Sequence, residues 1–162
     1  MTSPAMTVET IGDTDVVVTR RFNADRNLVW RAYTEPALVE RWLLGPPGWT
    51  MPVCEIDLRV GGGYHYRWRN DTGDTEFGFT AEFLEIDAPS HIVCLERPDD
   101  MPDVAPAHIT VSLVALGDMT ELRMLMRYPD AATREMVLGT GMTDGMGMSF
   151  DLMDGVLAGM AG

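Results

Sequence analysis

Only one long stretch of the chain, residues 132–158, keeps its apolar residues at helical spacing. Leu138, Met142, Met146, Phe150, Met153, Leu157 and Met160 follow one another in steps of three or four and so share one side of a helix. Leu152 and Val156 widen this stripe, while Thr143, Asp144, Asp151 and Asp154 fall on the opposite side. The pattern predicts a long helix half buried against a large concave partner. Gly139, Gly141, Gly145 and Gly147 each cost about 1 kcal/mol relative to Ala in a helix interior, so packing must hold its first half. A weak, Met-rich helix of this kind suits a gate.

The partner is upstream. Residues 1–14 are small, polar and aperiodic and read as a mobile tail. Residues 16–22 are β-branched and predict a strand; Asn23 or Asp25 then caps a short helix carrying Leu28, Val29, Trp30 and Tyr33. Pro36 opens a second short helix with Leu38, Val39 and Trp42 on one side, ended by Gly45-Pro46-Pro47-Gly48. From Thr50 onward the period drops to two, with turn residues between runs. Tyr64, Tyr66 and Trp68 alternate with His65, Arg67 and Arg69, and the apolar face recurs at Phe77, Phe79, Ala81 and Phe83. It returns at Ile109, Val111 and Leu113, and again at Leu122, Met124, Met126 and Tyr128. The expected architecture is α+β, with a curved seven-stranded antiparallel sheet around a long C-terminal helix and two short helices after the first strand. Residues 15–160 form a single domain in this reading.

Where the faces superpose, they outline a cavity. Tyr66, Trp68, Phe79 and Phe83 face the same side as Met124 and Met126, and the helix brings Met142, Met146, Phe150 and Ser149 toward them, with Trp42 at the mouth. Aromatic walls opposite flexible thioethers suit an adaptable apolar site, and these residues are the candidate ligand contacts. Ser149 either bonds its own helix backbone or offers the ligand a polar handle.

Charge narrows the function. The net charge of −13 opposes binding to nucleic-acid backbones and anionic membranes, so neither is an expected partner. All 12 basic residues are Arg, which excludes Schiff-base chemistry and a P-loop. No run is long and apolar enough for a membrane span, and the N-terminus has no leader pattern, so a cytoplasmic location is expected. Cys54 and Cys94 stand alone in separate strands and are expected to be unbridged. His65, His91 and His108 are dispersed without metal-ligand spacing, and no catalytic motif or cofactor is expected. Asp57 and Arg59 bracket the Gly61-Gly62-Gly63 bend and are expected to orient it.

Three short motifs then carry a resemblance: Arg41-Trp42-Leu43-Leu44-Gly45-Pro46, Asp57-Leu58-Arg59-Val60-Gly61-Gly62 and Gly141-Met142-Thr143-Asp144-Gly145. In this order and spacing the chain, over roughly residues 14–160, resembles the START-like (SRPBCC) helix-grip superfamily. Within it, the chain is similar to the family named after activators of the heat-shock-protein-90 ATPase. A second aromatic often follows the Trp42 equivalent in that family; here Leu43 and Leu44 stand there. The resemblance implies a cavity between sheet and helix, which points to non-enzymatic binding of a small hydrophobic molecule. A chaperone-regulating interaction module, with a filled core and a fixed exposed patch, is the first alternative. A cyclase- or hydrolase-like enzyme, which would need a titratable group deep in the pocket, is the second.

Overall fold

The alternating and helical stretches condense, in a computed structural model that describes residues 6–101 and 103–161, into twelve elements. These are β1 (Thr7–Ile11), β2 (Asp15–Phe22), α1 (Arg26–Thr34), α2 (Pro36–Trp42), β3 (Trp49–Ile56), β4 (Gly63–Asn70), β5 (Glu76–Asp87), β6 (His91–Pro98), β7 (Ala107–Leu116), β8 (Met119–Arg127), α3 (Ala131–Gly139) and α4 (Met142–Ala161). The strands form one antiparallel sheet in the order β1-β2-β8-β7-β6-β5-β4-β3. It has eight strands where the pattern predicts seven. The additional strand is β1, which lies in the stretch read as a tail and pairs with β2 from Thr7↔Thr19 to Ile11↔Asp15. Its residues are all exposed, so an edge strand of this kind leaves no burial pattern in the sequence.

The chain must cross from β2 to β3 at the far edge, and the two short helices carry it over the sheet. Asp25 caps α1 by accepting a 2.7 Å hydrogen bond from the Asn27 N–H, and Pro36 supplies the first turn of α2. The Trp42 indole N–H donates to the Ala32 carbonyl at 2.8 Å, and its ring stacks on Phe150 of α4 at 6.0 Å. Core residues from β2, β5, β6, β7 and β8, among them Val18, Phe83, Cys94, Ile109 and Met126, thus close against Val29, Trp42, Phe150, Met153 and Leu157.

The single long helix expected over residues 132–158 is two helices. α3 ends at Gly139 and α4 starts at Met142, with Gly141 between them at φ +81°, a conformation that favours glycine. Asp130 caps α3 through the Thr133 N–H at 2.7 Å. Glycine density in this region therefore marks a break rather than a weak helix. The apolar stripe also narrows: Leu152, assigned to the buried side, is 43% exposed.

Asp154 and Asp151, on the side opposite the stripe, meet a buried cation. Arg20 of β2 is 1% exposed and points inward between Val18 and Phe22. Its guanidinium lies 2.7 Å from Asp154 and 3.0 Å from Asp151, with its central carbon 4.9 Å from the Phe22 ring centre. Asp154→Asn should cost about 1–3 kcal/mol by weakening the partner of a buried charge. Arg20→Met, which removes the charge with its demand, should cost much less. Urea unfolding of both variants checks this; equal losses would contradict it.

Candidate functional site

Register across the sheet defines the site. Ile56 pairs with Tyr64, Tyr64 with Ala81, Ala81 with Glu96, and Glu96 with Ala107. One row thus places a carboxyl between two alanines, and the small side chains leave room around it. Tyr64 reaches across Ala81 and donates its hydroxyl hydrogen to Glu96 Oε2. The next row places Cys54, Tyr66 and Phe79 side by side, and Tyr64 stacks on Tyr66 at 4.3 Å. Tyr33 of α1 and Tyr128, just after β8, complete the surround.

Glu96, Tyr33 and Tyr64 lie deep in the protein and yet retain some accessible surface. Among the described residues, Glu96 Oε1 and the hydroxyls of Tyr33 and Tyr66 make no hydrogen bond. None of the three atoms is sealed from water-sized space. Three polar atoms with free hydrogen-bonding capacity thus stand close to one carboxyl.

Desolvation sets the proton inventory. It pushes the Glu96 carboxyl above the ordinary carboxylate range, with the Tyr64 hydrogen bond pulling the other way. Burial raises the Cys94 thiol to about 12 and the Cys54 thiol to about 11. Desolvation likewise raises Tyr33, Tyr64, Tyr66 and Tyr128. Glu96 is the one carboxyl in this group, and burial favours its protonated form.

The candidate ligand contacts separate into two sets. Trp42, Ser149 and Phe150 are sealed: Ser149 Oγ accepts from the Gly45 N–H at 2.9 Å, so it anchors the loop before β3 rather than its own helix backbone. Phe83, Met124 and Met126 are buried, Met126 Sδ receiving the Tyr128 hydroxyl at 3.6 Å. Tyr66 is buried but for its open hydroxyl. Trp68, Phe79, Met142 and Met146 are half-buried. Trp68 donates to the Leu43 carbonyl at 2.6 Å and stacks on Phe77, toward the far end of β4 from Tyr64. Met142 lies against the Tyr128 hydroxyl at 3.8 Å.

The sequence reading missed Tyr33, Tyr64 and above all Glu96. The signal was present: Glu96 continues the alternation of Ile92 and Cys94, which puts it on the inner face. Elsewhere, Arg59 bonds the Asp57 carboxylate at 2.8 and 3.0 Å beside the glycine bend, His65 and Arg67 share Asp99, and both cysteines are free. A shallow groove of about 610 Å³ at that bend runs between Glu55 and Glu82 and is open and partly acidic. Gly63 is required there, since a Cβ would lie 1.8 Å from the Ala81 carbonyl oxygen. Among the described residues, no helix is long and apolar enough to cross a membrane.

A family model described as activator of Hsp90 ATPase homolog 1-like protein matches residues 23–158. The chain belongs to that family. No curated protein matches it. Among solved structures, a protein from Rhodobacter sphaeroides is 26% identical, with a TM-score of 0.87 over 95% of this chain and 98% of that one. A protein from Mycobacterium smegmatis is 22% identical, with a TM-score of 0.84 over 94% and 97%. An Hsp90 activator from Plasmodium falciparum is 20% identical, with a TM-score of 0.53 over 71% and 73%. The helix-grip arrangement is thus the Hsp90-activator-homologue fold, and the Glu96 row lies within the matched residues.

Because the folded state holds a proton on Glu96 that the unfolded chain releases, stability is complete below the ordinary Glu range. It falls as pH rises through the raised folded value. Glu96→Gln should remove this decline, so the variant should melt progressively above the parent as pH rises above the ordinary Glu range. Parallel melting curves over that range would contradict the assignment.

Proposed function

We propose that this member of the Hsp90-activator-homologue family binds a small hydrophobic molecule in the recess between the sheet and the helices above it, without chemical turnover. The observation that carries the reading is the coincidence of depth and residual accessible surface at Tyr33, Tyr64 and Glu96, in a core otherwise closed by residues such as Phe22, Phe150 and Met153. A well-packed core leaves few voids, so space kept beside two alanines has a use. Met142 and Met146 on α4 supply an adaptable roof, and the break at Gly141 frees the start of α4 to move with it. The free thiols suit a reducing, cytoplasmic setting.

Acid–base catalysis in the same recess is the second reading, favoured by the Tyr64–Glu96 pair with its raised carboxyl. Chaperone regulation, suggested by the family's name and by the Plasmodium neighbour's description, ranks behind both because its support is likeness alone.

Filling the space tests the reading. Ala81→Leu and Ala107→Val each add apolar volume beside Glu96, and each should reduce uptake of a hydrophobic fluorescent probe by about tenfold while a cooperative melt is retained. Undiminished uptake in both folded variants would overturn it.

A further inference from the structure

The recess is not uniformly apolar, and its polar end restricts what fits. Glu96 Oε1 is an acceptor without a protein donor among the described residues, while Oε2 is occupied by Tyr64. The titratable groups around this carboxyl are Tyr33 from α1, Tyr64 and Tyr66 from β4, Cys94 from its own strand and Tyr128 after β8. From α4 the Met142 thioether lies against Tyr128. None of these is a cation, and the chain has no Lys. The contrast with Arg20 is informative: that buried charge has two carboxylates, whereas Glu96 has only a neutral phenol, and burial keeps its carboxyl protonated until a cation arrives. Buried carboxylates in proteins are ordinarily paired.

We propose that Glu96 is the recognition point for an amine, so that the recess takes a hydrophobic molecule with a single amine head. The ammonium donates to Oε1, and the unpartnered oxygens of Tyr33 and Tyr66 accept its remaining hydrogens. The aromatic rings of Tyr33 and Tyr66 flank the charge, and the tail runs among the apolar residues below α4. This rests on the recess being a binding site, and it adds the class of ligand. A ligand carboxylate finds no partner there, because no Arg is among the groups around Glu96. The net charge of −13 also draws cations toward the protein and repels anions.

Octylamine, octan-1-ol and octanoate share a tail and differ in the head, so calorimetric titration of each into the intact protein separates the two claims. Octylamine should bind about tenfold more tightly than octanol, with octanoate weakest. Its advantage should grow as pH rises through the raised Glu96 value, because the ammonium pairs with the ionised carboxylate. Glu96→Gln should erase the amine's advantage over octanol. Tyr33→Phe, which keeps the ring and removes one acceptor, should reduce the advantage without abolishing it. Octanol binding as tightly as octylamine, or an advantage that survives Glu96→Gln in a folded variant, would overturn the amine assignment and leave the recess standing. Failure of all three compounds to bind would overturn both.

Discussion

A guanidinium buried in the sheet must be given acceptors, and α4 brings them. Arg20 points into the core because strand alternation leaves it nowhere else to point, between Val18 and Phe22. Removing its carboxylates would strand a charge in low dielectric, so the position of α4 is tied to that of β2 by Asp154 and Asp151. The apolar contacts of Phe150, Met153 and Leu157 supply most of the attraction, but hydrophobic contact is non-directional. The ion pairs set where along the sheet the helix stops. With its later turns pinned over β2, its first turn lies against Tyr128, whose hydroxyl is 3.8 Å from the Met142 sulfur.

The chain spans the sheet with only two short helices. Trp42 and Ser149 lock α2 and its following loop to α1 and α4, sealing one part of the core. The rows through Ala81 and Ala107 are left with small side chains, and a carboxyl stands between them. The two sides of the core thus differ, one closed by aromatic and aliphatic packing and the other carrying a carboxyl and phenols.

Much of this was legible in the sequence, and the misses have physical causes. Strand alternation identified the inner faces of β4, β5, β7 and β8, and Asp25 and Pro36 marked the short helices. Helical spacing located α4 but ran straight through Gly141, because apolar periodicity is blind to one residue with positive φ. β1 pairs through its backbone while all its side chains are exposed, so no pattern betrays it. Asp151 and Asp154 read as a solvated face, since nothing local reveals a cation from a strand far away in sequence. Phe150 and Ser149, placed on the inner side of the helix, are buried there, and so is Trp42, placed at the mouth. Glu96 was within reach of the alternation rule, yet its meaning depends on Ala81, Ala107 and Tyr64 beside it, which only register supplies.

The central claim is a location: a guest sits beneath the start of α4, beside the Glu96 row. Carbon-13 labelling of the methionine methyl groups reads that location directly, because methionines occur both under α4 and on the outside of the protein. On titration with a hydrophobic ligand, the methyl resonances of Met142, Met146 and Met126 should shift together and saturate, while exposed Met101, Met136 and Met148 stay in place. Shifts confined to the exposed methionines, or saturable binding that leaves Met142 and Met146 untouched, would contradict the account.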